Sequence, residues 1–369
     1  MTPRLRAVLL ALVLAGLGRR AQAQDSEFGI RGLGSPGHWE SAGSRMTAGA
    51  FAAFDELSAL ADASLAFQTK LTATANSATS RRTVDVGAGS ATITATRFPL
   101  FQVSGPVYRR VVVGGGYSAY LDQTYRVLNR DTLVIRGDSQ VVTDELRGDG
   151  GVSDLRLAVA TAVGSHLYVG AGIHGLTGST RVRASRLFAD TSQYRSYLQQ
   201  GEIRYEGLGG SVSAIVDFAD RVMLAVYGRS DGQLQENLDP NISAKRDLPY
   251  TLGAAARLRL AAAVSLAGSV TYRNWSVSAD SNAYNTLDWS VGAEVGGSKL
   301  PLRFGVRGGQ LPFGPGGQAP KEIGGAAGTG FGFAKGHGRF DIGVEYLQRT
   351  GGAFRETVWT TFAGLTVRP

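Results

Sequence analysis

Apolar and polar residues alternate with a period of two along most of this chain. Over 264–273, Val264, Leu266, Gly268, Val270 and Tyr272 fall on one face, and Ser265, Ala267, Ser269, Thr271 and Arg273 on the other. Successive strand side chains point to opposite faces, so the alternation predicts a strand with one greasy and one wet side. The stretch 251–260 repeats it, as do Leu302, Phe304 and Val306 against Arg303, Gly305 and Arg307. Phe340, Ile342, Val344 and Tyr346 alternate with Asp341, Gly343 and Glu345 in the same way. Fourteen such stretches are expected: 71–79, 90–104, 108–122, 151–163, 166–182, 202–217, 220–235, 248–260, 263–277, 284–297, 301–313, 321–335, 338–350 and 354–367.

A soluble β-sandwich would alternate too, but segment length and connection length separate the two readings. Most of these stretches exceed the ~5–6 residues usual in globular sheets and reach the ~9–11 that a tilted membrane-spanning strand requires. Tight connections are expected at 105–107, 164–165, 218–219, 261–262, 298–300 and 336–337, and long polar loops at 123–150, 183–201 and 236–247. Short turns on one side and long loops on the other predict an all-β fold, a transmembrane antiparallel β-barrel of about 14 strands over 67–369, in the bacterial outer membrane. Tyr272, Trp275, Trp289, Phe340, Tyr346 and Trp359 fall near predicted strand ends, where aromatic girdles meet lipid headgroups. No run of 18 apolar residues occurs, which excludes membrane-spanning helices.

The N-terminus breaks the pattern. Arg4 and Arg6 precede an apolar run over 7–17, and Ala21-Gln22-Ala23 has the small-x-small form of a cleavage site, so 1–23 reads as a secretory signal peptide. Losing its four arginines lowers the formal charge from +8 to +4, so the basic balance gives no ground for a nucleic-acid partner. The next region, 24–66, carries Gly29, Gly32, Gly34, Gly37 and Pro36, then an amphipathic stretch over 46–60, and lacks strand alternation. It is expected to fold inside the barrel as a lumenal hatch.

Composition narrows the chemistry. With no cysteine there is no disulfide scaffold and no thiolate metal site. The 51 glycines are about twice the usual ~7% share but follow no G-X-Y period. Walker, zincin and serine-hydrolase motifs are missing and the four histidines are scattered, so no catalytic residue, metal or cofactor is assigned. His174 is the one histidine placed where a nucleophile could use it, and a plain lining role explains it better. Gly-rich 324–333 lacks the strand-loop-helix context of a phosphate loop and reads as small residues in a crowded wall. Arg136-Gly137-Asp138 and Arg147-Gly148-Asp149 read as chance in a chain rich in Arg and Gly. On the polar face, Arg257, Arg259, Arg273, Glu294, Arg303, Arg307, Asp341 and Glu345 mix both signs, which predicts a lumen lattice of ion pairs, with Arg303 and Arg307 within reach of Glu294.

Several stretches together resemble a known family. "DLPYTLGAAARLRLAAAVSLAGSVTYRNWS" (247–276) is similar to the Leu-Pro, Gly-Ala-Ala, Tyr-x-x-Trp-Ser signature of the FadL/TodX family of outer-membrane transporters for long-chain fatty acids and hydrocarbons. "LDWSVGAEVGGSKLPLRFGVRGGQLP" and "RFDIGVEYLQ" resemble its C-terminal pattern, "GDGGVSDLRLAVATAVGSHLYVGAGIHGLTGST" its middle strands, and "SRMTAGAFAAFDELSALADASLAF" its plug. The resemblance implies a 14-stranded barrel with an N-terminal hatch, passive passage of a hydrophobic small-molecule ligand with lateral release, contact with outer-membrane lipid, and insertion by the barrel-assembly machinery. A non-transporting barrel of the same fold, serving secretion or surface attachment, is the alternative. The family's Asn-Pro-Ala at the hatch end falls on Ala61, Asp62 and Ala63, where a carboxylate replaces the proline. Gly364 and Val367 fit the terminal strand, but Pro369 stands where an aromatic residue is usual. In the family the third strand bends inward and opens the wall; here that strand holds Gly114, Gly115 and Gly116, which fit either such a lateral gate or close packing against the hatch.

Overall fold

The computed structural model describes residues 28–85, 90–135, 137–190, 193–218, 221–239, 242–278, 283–297, 300–314 and 317–369. The expected signal segment 1–23, with 24–27, lies outside the described residues. Fourteen strands form the wall: β1 (Thr72–Asp85), β2 (Ser90–Tyr108), β3 (Val111–Asp122), β4 (Asp138–Val163), β5 (Leu167–Phe188), β6 (Tyr197–Phe218) and β7 (Val222–Ser230), then β8 (Tyr250–Ala261), β9 (Val264–Arg273), β10 (Thr286–Val295), β11 (Leu302–Gln310), β12 (Lys321–Phe333), β13 (Gly338–Gly351) and β14 (Phe354–Val367). Each pairs antiparallel with its sequence neighbour, and β14 pairs back onto β1 from Arg355↔Asp85 to Val367↔Ala73. The sheet is therefore closed.

The alternation is inside out relative to a soluble protein. On β9 the apolar residues Leu266 (39%) and Val270 (47%) are exposed, while Ser265 and Thr271 (8% each) are buried. Leu302, Phe304, Val306, Ile342 and Val344 likewise lie on the outer surface, with Arg303, Asp341 and Glu345 inside. Water would not tolerate such an outer band, and a bilayer requires it. Closure satisfies the backbone groups that lipid cannot. The chain is a transmembrane β-barrel of the outer-membrane type.

Three differences from the sequence reading have physical causes. The first tight turn is at Arg109 and Arg110, not 105–107, because β2 stays paired to Tyr108 beyond a register shift at Pro106. The long polar connections are largely strand: Tyr125–Ile135 pairs with the start of β4, and Gln233–Asp239 pairs with both β6 and Ile242–Asp247. These extensions stand beyond the apolar band, where no face meets lipid and no two-residue alternation is demanded, and among the described residues of Gln233–Asp239 Leu234 alone is buried. Finally, Trp275 is not in a girdle. It sits in the 3-10 turn Trp275–Ser278, 2% exposed, edge-on to Phe313 at 5.6 Å. Trp289 and Trp359 do lie on the outer surface, the latter against Tyr346 at 4.8 Å.

The long connections all lie at one end, together with the tight turn at 352–353, so the extended end of β3–β8 faces the cell exterior and the turns at 109–110, 164–166 and 262–263 face the periplasm.

Candidate functional site

The N-terminal segment from Phe28 to Phe67 is packed against lumen-facing side chains. Only four residues, α1 (Ala42–Arg45), are α-helical, capped by the Ser41 hydroxyl, which accepts from the Ser44 N–H at 3.1 Å. The amphipathic stretch 46–60 is irregular, since Ala48 and Gly49 turn left-handed at φ 54° and 88°, and holds one 3-10 turn, Ala52–Phe54. Asp55 ties this irregular stretch together, accepting from the hydroxyls of Ser41, Ser44 (2.6 Å) and Ser58 (3.0 Å) and from the Leu57 N–H (3.0 Å). A second 3-10 turn, Asp62–Phe67, closes the segment before β1.

The abundant glycines find their reason here. A Cβ at Gly292 would stand 2.7 Å from the Thr47 carbonyl oxygen, at Gly343 2.8 Å from Met46 Cγ, and at Gly364 2.6 Å from Ala42 Cβ. Gly170, Gly305 and Gly328 are occluded in the same way by Ala63, Thr47 and Met46. These wall positions are bare so that the segment can lie directly on the strand backbones. Gly328 belongs to the Gly-rich run 324–333, whose crowding is thus real.

Ion pairs fasten the segment at two places. Arg45 donates to Glu345 of β13, with Nη2 2.5 Å from Oε2, and its guanidinium lies over Phe362 at 5.0 Å. At the other end, Arg156 Nε lies 3.3 Å from Asp62 Oδ1, and Ser211 donates to Asp62 Oδ2 at 2.5 Å. The Ala63 N–H donates to Ser213 at 2.8 Å. Ala61, Asp62 and Ala63, singled out by resemblance, are thus where the segment grips β4, β5 and β6.

His174 lies in this network. Its Nδ1 is 3.0 Å from both Asp154 oxygens and its Nε2 2.7 Å from Ser211 Oγ. Ser, His and Asp stand in the order of a catalytic triad. The serine hydroxyl, however, is directed to Asp62, and the imidazole is 2% exposed beneath the segment. The chain of contacts continues through Arg229, which donates to Asp154 (2.5 Å) and Asp231 (2.6 Å), to Tyr120, whose hydroxyl donates to Asp231 at 2.9 Å. Arg156, Asp154, Arg229 and Asp231 carry no recognisable motif, and only the register of β4 to β7 brings them together.

The expected lumen charges divide. Arg303 bonds Glu294 (2.6 Å) and Asp341 (3.0 Å). Arg307 does not pair with Glu294, but with Glu322 (3.2 Å) and Glu345 (3.4 Å). The register explains it: Glu294 is directly opposite Arg303, whereas Arg307 is opposite Ser290. Arg273 pairs with Asp288 at 2.5 Å, Arg257 lies over the Phe51 ring at 5.6 Å, and Arg259 is exposed at the periplasmic turn.

Gly114, Gly115 and Gly116 pair in unbroken register with β2 and with β4, so the wall is closed there. A Cβ at Gly114 would lie 3.1 Å from the Leu65 methyl carbons, which is the close packing the sequence allowed. The interruption lies further out. The β2–β3 ladder stops at Leu100↔Ser118, and among the described residues Ser90–Pro99 pairs with β1 alone. On β3 the register with β4 shifts between Ala119 and Leu121, and Leu121 and Asp122, still opposite Val152 and Gly151 of β4, pair on their other edge with Pro36 and Ser35. Behind this gap is a cavity of about 350 Å³, lined by Phe98, Pro99, Tyr117, Leu121 and Val152 with Arg82 and Arg97. Both arginines approach one carboxylate, Asp122, at 3.4 and 3.5 Å. No metal-binding group of three or more acidic, His or Cys side chains occurs among the described residues.

No protein-family model and no curated protein sequence matches the chain. Solved structures share its fold. The CymD monoaromatic hydrocarbon channel superposes with a TM-score of 0.59 at 13% identity, covering 89% of this chain and 97% of that one. A FadL homologue of Pseudomonas aeruginosa gives 0.63 at 14%, covering 90% and 99%. The P. putida toluene transporter TodX gives 0.57 at 13%, covering 90% and 99%.

Proposed function

We propose that this barrel lets apolar small molecules, fatty-acid-like or hydrocarbon, cross the bacterial outer membrane passively, with the segment 24–66 as a hatch and with side passage between β2 and β3. The carrying observation is the unpaired edge at Ser90–Pro99 with an amphipathic cavity directly behind it. A water-filled pore offers an apolar solute no favourable path, whereas an apolar pocket reached through the wall does. The fold it shares with hydrocarbon channels agrees with this reading.

Arg82 and Arg97, which share Asp122, give the cavity guanidinium donors that a ligand carboxylate could accept from, with the acid Asp149 also in its lining. The test is binding of a fluorescent long-chain fatty acid and of toluene to the purified barrel, with liposome swelling by sugars alongside. Saturable fatty-acid binding without sugar-driven swelling is expected. Swelling without binding would make the protein a general porin, and neither would point to a barrel serving secretion or attachment.

A further inference from the structure

Beyond the apolar band the outer faces of three adjacent strands carry arginines in register. Arg126 is directly opposite Arg147 of β4, and Arg147 is directly opposite Arg183 of β5. Residues directly opposite in an antiparallel pair share one face at ~4.5–5.5 Å, and like charges placed so repel. Arg181, two residues along from Arg183, is on the same face. Acids offset only part of this charge. Arg126 bonds Glu145 at 2.7 Å, and Arg147 approaches Asp149 at 3.5 Å. Glu202, opposite Arg181, is engaged with Arg204 at 3.9 Å. Among the described residues Arg181 and Arg183 have no ion pair, and both are exposed.

The height of this row says what meets it. Outward residues of β4 are apolar at Val159, Leu157 and Leu155, then polar from Ser153. On β5 the change follows Ile173, and on β6 it precedes Leu208. Arg147 is six residues beyond Ser153, about 15 Å above the edge of the apolar band for a strand rising ~3.3 Å per residue at a ~40° tilt. That is above the ~5–8 Å interfacial layer that borders the hydrocarbon, at the level of the saccharide core carried by an outer-leaflet glycolipid. We infer that the Arg126–Arg147–Arg183 row, with Arg181, is a docking site for the phosphate-bearing saccharide headgroup of an outer-leaflet glycolipid. Guanidinium forks match phosphate oxygens two at a time, and a phosphate between opposed arginines removes their mutual repulsion. The site is independent of whether the barrel transports anything.

The full barrel in detergent is titrated with a lipopolysaccharide whose saccharide core is phosphorylated and with the same lipid after removal of the core phosphates, read by native mass spectrometry. The core-phosphorylated lipid is expected to bind at least tenfold tighter. The double variant Arg181→Gln/Arg183→Gln should lose that preference while keeping the heat-modifiable gel mobility of a folded barrel. Arg110→Gln, at the periplasmic end, should keep the preference. Equal binding of the two lipids, or an unchanged preference in the double variant, would overturn the site. Displacement of the lipid by millimolar inorganic phosphate would show a free-phosphate site and overturn the glycolipid assignment.

Discussion

Arg45 and Glu345, 300 residues apart in sequence, meet inside the barrel with both side chains buried and Nη2 2.5 Å from Oε2. The contact fixes α1 to β13 and, through Glu345, to Arg307. Removing one partner of a buried pair typically costs about 3–5 kcal/mol when the other charge is left alone, and less is expected for loss of Arg45, because Glu345 keeps Arg307 at 3.4 Å.

Arg45→Ala should therefore leave a closed barrel whose N-terminal segment is loosened. Planar-bilayer recordings are expected to show higher conductance and more frequent openings than the parent. Unchanged conductance with unchanged melting would mean that this pair does not hold the segment.

Asp62→Asn tests the second fastening. Both Nη atoms of Arg156 already lack a hydrogen-bond partner, so neutralising Asp62 takes away the charge this buried guanidinium leans on. Hydrogen exchange at 61–67 should quicken by tenfold or more. The exposed Asp144–Arg186 pair supplies the control, since Asp144→Asn is expected to leave the same amides unchanged.

The wall interruption and the glycine run make opposite demands. Ala119 lines the cavity behind the β2–β3 gap, so Ala119→Trp should block uptake of a fluorescent fatty acid in cells. At Gly115 a Cβ would meet only ordinary contacts, 3.5 Å from the Arg156 carbonyl oxygen and 3.7 Å from Leu157, so Gly115→Leu should fold and transport normally. The reverse result would return the opening to the glycines.

Mild acid should weaken the segment's hold. Burial, and then the Arg45 guanidinium, push His38 below its ordinary value of 6.5, while Glu40 at 3.3 Å pulls the other way. The docked segment thus prefers the neutral imidazole, and a released segment binds a proton more readily. The hold is therefore unaffected well above pH 6.5 and declines as pH falls through it. Protease cleavage within 28–67 should rise between pH 7.5 and 5.5, and His38→Gln should flatten that rise.

The barrel itself is legible in the order of residues. Leu266 and Val270 against Ser265 and Thr271 disclose a strand with lipid on one side, because that requirement acts residue by residue and leaves a two-residue period. All fourteen wall strands are visible in this way, and Glu294 pairs with Arg303 as expected because neighbouring strands share a short connection. The extensions at 125–135, 233–239 and 242–247 are not legible as strands, since without lipid on one face the two-residue period is not enforced.

The remaining features depend on three-dimensional packing. Trp275 is a core residue because Phe313 and the packed segment cover it. The β2–β3 ladder is unbroken at Gly114–Gly116 and ends at Ser118 because Ser35 and Pro36 take the β3 edge beyond it, while Leu65 fills the space over Gly114. Asp62 reaches Arg156, Ser211 and the His174 network through contacts spanning up to 149 residues. Such contacts depend on closure of the sheet and on the path of a segment with little regular structure. No local pattern of residue types encodes either.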